Sequence, residues 1–331
     1  MEELASAGAL VELAYGYRMS RCLHAAMELG VPDTIDADAP TAEVLGAKLG
    51  CHVDALRRLM MTLASGGVFA FRDGGFAHTA ASRTLRTDHP QTIAPFIRFT
   101  GADYQWRTWT GLASAIRSGE AAFEAAHGCD IFEFYQQHPG DGRIFDQAMS
   151  SVGGARIPAV VSAFDFTAFR TVADIGGGRG HLLRAILDAS PGSAGVLFDL
   201  PDVAAEARSL SDSRISVVGG DFFKDDMPAA DAYVFMMILH DWDDGACVRM
   251  LQNLRRTMPP GARVLVVESV ISDEPGLAYS RLSDMTMLVL AEGRERTASE
   301  YAALFARAGF SLTQPPIPTD SVMSILVAAP D

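Results

Sequence analysis

The chain has 331 residues, 49% hydrophobic and 21% charged, enough apolar material for about two buried cores of roughly 150 residues each, which excludes wholesale disorder. Its 41 Asp+Glu outnumber 27 Lys+Arg, for a formal net charge of −14, and that excess repels phosphate backbones and argues against a nucleic-acid partner. Cys22, Cys51, Cys129 and Cys247 form no CxxC pair, so neither a disulfide framework nor a structural zinc site fits, and no metal is expected.

At the N-terminus, MEELASAGALVELAYGY has acids where a secretory signal carries bases, and no run approaches the ~18 apolar residues of a membrane span. A cytoplasmic protein without membrane attachment is expected. Leu4, Ala7, Leu10, Val11 and Ala14 recur at helical spacing, giving the first helix one apolar stripe for its own domain or a partner subunit. TAEVLGAKLG and VDALRRLMMTLASGG read as helix-turn-helix. Short strands around Val68–Phe71 and Phe76–His78 follow, separated by Asp73-Gly74-Gly75, which completes a winged-helix arrangement. Glu43, Lys48, Asp54, Arg57 and Arg58 lack the dense basic face of a DNA reader, and Leu56, Leu59, Met60 and Leu63 make the second helix a core element. Structural or dimerising use is expected. Residues 90–165 return to helix, with Phe96, Phe99, Tyr104, Trp106 and Trp109.

Near Thr171 the period changes. TVADI, GVLFD, RISVV, DAYVFMMIL and ARVLVVES are short apolar runs alternating with amphipathic helices, the pattern of a parallel, doubly wound α/β sheet. FSLTQ, a Pro-rich turn and VMSILVAA suggest a terminal antiparallel pair. The expected domains are a winged-helix-like dimerisation domain at 1–110, a helical connection at 111–165 and a catalytic domain at 166–331.

Asp174-Ile175-Gly176-Gly177-Gly178-Arg179-Gly180 follows the first of these strands and opens a helix, where glycines allow a sharp turn and close approach of a ligand. A plain tight turn is the alternative. A dinucleotide fingerprint begun at Gly176 needs glycine at position 181, which is His181, so a nicotinamide oxidoreductase is disfavoured. Asp199 ends the second strand, placed either to accept ribose hydroxyls or to cap the next helix. Asp221 and Phe222, after the third, suit an adenine amino group and ring. His240 after DAYVFMMIL and Glu268 at the end of VLVVES are strand ends of one sheet; alone, His240 could equally be a packed core residue.

DIGGGRG, FDLPDV, GGDFF, ILHDWDD, VVES and GRERT occur in order, and together they resemble the class I S-adenosylmethionine-dependent O-methyltransferases, the group of plant caffeate O-methyltransferases and bacterial natural-product methyltransferases. The resemblance spans essentially the whole chain. It implies a seven-stranded Rossmann-like sheet, a homodimer through the N-terminal domain, and an acceptor pocket between the halves. It also implies that Gly176, Gly178 and Gly180, with Asp174, lie along the cofactor's methionine part, Asp199 and Leu200 at the ribose, Asp221 and Phe222 at the adenine, and Trp242 beside it. Plant relatives often have Lys four residues before the catalytic His; here Met236 stands there, and Arg143 and Ser150 are the substitutes considered for the cofactor carboxylate.

By the same resemblance Glu295 of GRERT is a second acid orienting His240, although a surface pairing with Arg294 or Arg296 would also explain it. Methyl transfer from a sulfonium needs alignment and removal of the acceptor's proton. A phenol ionises near 10 and imidazole near 6.5, so His240 can take that proton with a carboxylate fixing its tautomer. By that resemblance Phe99, Trp106, Phe145, Met149, Asp241 and Met287 are the acceptor contacts, for a small phenolic, polyketide or phenazine-like ring, although a Met or aromatic at helical spacing is more often core packing. N-methylation, decarboxylation and hydroxylation within the same family, and a winged-helix regulator outside it, are the rival readings.

Overall fold

Thr41 caps the helix Ala42–Leu49 by accepting the Val44 N–H at 3.5 Å, and Gly50 ends it in a left-handed conformation. Local chemistry therefore sets this helix before packing does. A computed structural model describes residues 6–36, 38–275 and 278–331; Leu4 of the expected stripe lies outside them. The chain forms two units, one of residues up to Trp106 with His138–Val152, the other of Arg107–Gln137 with Gly153–Asp331.

In the first unit, helices Ala7–Glu28, Ala42–Leu49 and Val53–Ser65 precede an antiparallel hairpin of β1 (Phe69–Arg72) and β2 (Gly75–His78). Asp73 and Gly74 both have positive φ, 52° and 84°, the backbone of a tight two-residue hairpin turn. Met27, Leu45, Leu56, Met60, Leu63 and Phe76 close its core, as the winged-helix pattern anticipates. The first helix behaves differently. Leu10 and Val11 of its stripe are 57% and 52% exposed, and the neighbouring Leu13 68%, so the described residues do not cover them.

The second unit is built on one sheet. Its strands are β3 (Thr171–Ile175), β4 (Ala194–Asp199), β5 (Ile215–Gly219), β6 (Ala232–Met236), β7 (Arg263–Glu268), β8 (Phe310–Leu312), β9 (Ile317–Pro318) and β10 (Ser324–Pro330). The path runs β5-β4-β3-β6-β7-β10-β8, with β9 paired to β10. The first five strands are parallel, and β10 runs antiparallel between β7 and β8. Alternate residues feed two cores. Tyr233, Phe235, Val264 and Val266 pack on one face with Tyr301 and Phe305, and Val234, Leu265 and Val267 pack on the other with Leu183 and Ile186. Covered on both faces, these strands have the near-continuous apolar sequence of a buried parallel sheet.

Strand order reverses between β3 and β6, so their carboxyl ends bound the crevice where such sheets bind ligands. DAYVFMMIL departs from expectation as an element. β6 stops at Met236, because Met237 takes a φ of 58°, and His240 falls in the 3-10 turn Leu239–Asp241. Left-handed backbone at a non-glycine residue breaks the ladder and swings the chain over the sheet edge.

Candidate active site

The loop after β3 turns through Gly176, Gly178 and Gly180, all at positive φ. Gly176 is also a contact position: a Cβ there would lie 2.6 Å from Ile238 Cδ1, so a larger residue would have to push that side chain aside as well as adopt the φ of 67° that favours glycine. Around Gly178 a Cβ would meet nothing within 4 Å, leaving open space above the loop. Asp199 Oδ2 accepts the Gly178 N–H at 2.8 Å and Oδ1 accepts the Leu200 N–H at 2.7 Å. Each oxygen keeps a lone pair for a hydroxyl, and Asp199 caps no helix with its side chain. Beneath the loop Asp174 is buried, with Oδ2 unpaired. Burial, with the Asp199 charge beside it, pushes Asp174 up to about 7.

Beyond β5, Asp221 accepts from the Phe223 N–H and from Lys224 Nζ. Burial opposes its ionisation, but these contacts hold it below the ordinary carboxylate range. Phe222 lies edge-on to Trp242, whose other neighbours are Phe223 at 4.8 Å and Phe132, stacked at 5.4 Å. An open glycine loop, a carboxylate with lone pairs to spare and an aromatic cluster follow in chain order, a set of groups that suits an adenosine with an amino-acid tail.

His240 lies beside this row. It is buried, and its Nδ1 donates to Glu295 Oε1 at 3.1 Å, with Glu268 Oε2 3.5 Å away. Nε2 faces Asp241 Oδ1 at 3.5 Å. Glu268 serves two ends: Oε1 accepts the N–H groups of Ile238, Leu239 and His240 at 3.0, 2.9 and 3.4 Å, while Oε2 has no hydrogen-bond partner. Ser283 Oγ donates to Glu295 Oε1 at 2.7 Å, and Asp284 Oδ1 accepts the Glu295 N–H. Burial alone would strip the proton from His240. The Glu268 charge, then those of Asp241 and Glu295, outweigh burial and raise the imidazole to about 10, so the free-imidazole value near 6.5 does not describe it. His240, Glu268 and Glu295 also offer donor atoms within 4.8 Å of one another, close enough to hold a metal ion.

Three residues escaped the sequence reading. Arg296, wholly buried, donates to the carbonyls of Leu239 at 3.0 Å and Trp242 at 2.8 Å and pairs with Asp244, while Arg294 pairs with Glu300. Neither arginine meets Glu295. Cys247 Sγ adds a contact to the Leu239 carbonyl at 3.2 Å. At Gly293 a Cβ would sit 2.0 Å from the His240 carbonyl, which accepts the Arg294 N–H at 2.8 Å. The GRERT run offered one hint, a glycine directly before the charged residues.

Of the remaining expected site residues, Met287 lies on the helix Ala278–Leu290 with Ser283. Phe99 and Phe145 pack at 5.7 Å within the first unit. There, Trp106 carries Arg21 4.9 Å over its ring. Arg143, Met149 and Ser150 share the helix Pro139–Ala163 with Phe145.

Residues 109–311 match the family model of an O-methyltransferase domain and residues 11–88 that of an O-methyltransferase dimerisation domain. The chain belongs to the O-methyltransferase family. This methyltransferase is 38% identical to mitomycin biosynthesis 6-O-methyltransferase of Streptomyces lavendulae, over 90% of the chain and 87% of the relative. It is 34% identical to phenazine-1-carboxylate N-methyltransferase of Pseudomonas aeruginosa, over 93% of each. The solved structure of human N-acetylserotonin methyltransferase in complex with S-adenosylmethionine superposes with a TM-score of 0.90 at 30% identity, covering 100% of this chain and 99% of that one. S-adenosylmethionine is the cofactor, and no described helix is long and apolar enough to cross a membrane.

Two outcomes follow from the buried charges and the close approach. Asp174, Asp241, Glu268 and His240 all hold protons more tightly folded than unfolded, so the unfolded chain releases protons first as pH rises. The carboxyl contributions fade from about pH 4 to about 7, and that of His240 from about 6.5 to about 10. The free methyltransferase should therefore melt at progressively lower temperature from about pH 5 to about pH 9; a rising midpoint would contradict the cluster. Gly293→Ala should cost about 1–3 kcal/mol in denaturant unfolding, the scale of overpacking, and unchanged stability would mean that the two backbones are not so close.

Proposed function

We propose that this enzyme methylates a hydroxyl of a small aromatic natural product, with His240 as general base and Glu295 and Glu268 as the carboxylates that hold it. The observation that carries this reading is the 3.1 Å contact from His240 Nδ1 to Glu295 Oε1. In the neutral ring, with the Nδ1 proton held there, Nε2 is the atom left to receive the acceptor's proton, and with His240 raised to about 10 it is the fraction that has already released its Nε2 proton that acts. S-adenosylmethionine supplies the methyl group on a sulfonium, which leaves as a neutral thioether. His240 takes the hydroxyl proton as the oxygen attacks, and the surrounding carboxylates stabilise the imidazolium that forms. Raised to about 10, His240 is matched in basicity to a phenol, also about 10, so the proton passes between near equals.

Asp174, Gly176, Gly178 and Gly180, with Asp199, Leu200, Asp221, Phe222 and Trp242, are our cofactor set. The parts of Arg143 and Ser150 at the cofactor carboxylate, and of Phe99, Trp106, Phe145, Met149, Asp241 and Met287 at the acceptor ring, rest on the family resemblance. A hydroxyl is favoured over an amine, despite the phenazine N-methyltransferase relative, because a neutral amine attacks without prior loss of a proton and has less need of a buried base. The matched dimerisation domain and the exposed Leu10, Val11 and Leu13 support a homodimer. Four unbridged cysteines suit the cytoplasm, and the acid excess speaks against nucleic acid as a partner.

His240→Ala should lower turnover on a phenolic acceptor by about 10²–10⁴ and leave S-adenosylhomocysteine affinity within a few fold. Wild-type turnover should climb with pH well beyond the ordinary imidazole range, and Glu295→Gln should pull that limb back toward neutrality. A His240→Ala protein with the wild-type rate and profile would remove the base. In the same preparation Asp199→Ala should weaken S-adenosylhomocysteine by about 1.5–3 kcal/mol in calorimetry, and unchanged affinity would take Asp199 out of the cofactor set.

A further inference from the structure

Arg156 has a permanent positive charge and, among the described residues, no carboxylate partner. Its Nη1 lies 3.1 Å from Met237 Sδ and 3.9 Å from Met323 Sδ, and its Nη2 donates to the Tyr279 hydroxyl, with the guanidinium carbon 5.5 Å from that ring's centre. Two thioethers and a phenol are weak partners for a guanidinium, whose planar fork matches a carboxylate. Arg184, Arg294 and Arg296 of this unit are paired with carboxylates, and Arg263 and Arg281 with backbone carbonyls, all stronger acceptors than a thioether.

Each neighbour of Arg156 lies one step from the catalytic cluster. Met237 is three residues before His240, and its N–H donates to the carbonyl of Val267, next to Glu268. Met323 precedes Ser324, which is paired in register with Glu268. Tyr279 stands four residues before Ser283 on the helix Ala278–Leu290, hence on the same helical face, and Ser283 holds Glu295. Tyr279 is 49% exposed, so a ligand can reach the pair.

We propose that Arg156, assisted by the Tyr279 hydroxyl, anchors a carboxylate carried by the methyl acceptor, and that the acceptors of this enzyme are hydroxy-aromatic acids. The proposal rests on the methyl-transfer reading above. A ring bridging the two places would put its acid on Arg156 and its hydroxyl at His240, while the half-buried Met237 thioether meets its apolar edge. Bidentate pairing would fix the ring's direction and so choose which hydroxyl reaches the base.

The full-length enzyme, loaded with S-adenosylhomocysteine, is titrated calorimetrically with 4-hydroxybenzoate and with its methyl ester. The acid should bind at least about tenfold more tightly than the ester, the scale of a hydrogen bond to a charged group. Arg156→Met should abolish that preference without changing S-adenosylhomocysteine affinity or the melting temperature. Arg156→Lys should keep part of the preference, and Tyr279→Phe should reduce it. Equal binding of acid and ester by the wild type overturns the proposal, as does a preference that survives Arg156→Met. If Arg156→Met instead weakens S-adenosylhomocysteine but not 5′-methylthioadenosine, which lacks the amino-acid tail, the guanidinium serves the cofactor's carboxylate and the acceptor assignment is wrong. Failure of the wild type to bind S-adenosylhomocysteine would sink the methyl-transfer reading and this proposal with it.

Discussion

One oxygen organises the sheet edge that carries His240. Glu268 Oε1 gathers the N–H groups of Ile238, Leu239 and His240, three donors that the break in β6 would otherwise leave unpaired in a buried place. Orphaned donors of this kind cost a few kcal/mol together, so the 3-10 turn carrying His240 is only tenable beside this carboxylate. The parallel pairing of β6 with β7 delivers Glu268 to that spot. The left-handed Met237, the close approach of Gly176 to Ile238 and the Arg296 grip on the Leu239 and Trp242 carbonyls all hold the same short turn from other sides.

That arrangement has an electrostatic consequence. Glu268, Glu295 and Asp241 surround one imidazole, and a buried charge is stable only with partners. The imidazolium is the partner they require, which makes His240 an unusually strong base for a histidine. Arg296 is a second buried cation close by, tied to Asp244 and to backbone carbonyls rather than to the acids around His240, so it stiffens the turn and leaves the proton on His240.

The sheet was legible because buried parallel strands have a nearly continuous apolar sequence, and β3, β4, β6 and β7 lie close to their expected places. The ordered motifs led to the cluster: His240, Glu268 and Glu295 do converge. What sequence spacing could not convey was contact across the fold. Glycine at 293 marks a backbone meeting with His240, more than fifty residues away in the chain. Arg296 looked like a surface charge because nothing local states that Leu239 and Trp242 turn their carbonyls toward it. The run DAYVFMMIL concealed its own break, since Met237 is as apolar as the strand before it and only its backbone differs. The first helix shows the reverse case, an apolar stripe plain in the sequence whose exposure on the single chain required the structure.

The carboxylates of this edge keep His240 protonated far above the usual imidazole range. Carbon-13 labelling of the histidine rings, followed by NMR across pH in the free enzyme, reads that ionisation directly, and His240→Ala assigns the signal. The expected result is an imidazolium that persists through neutrality and titrates toward about 10, with the midpoint falling when Glu295 is replaced by Gln. A His240 ring that titrates near about 6.5, as a free imidazole does, or that is neutral throughout, would contradict it.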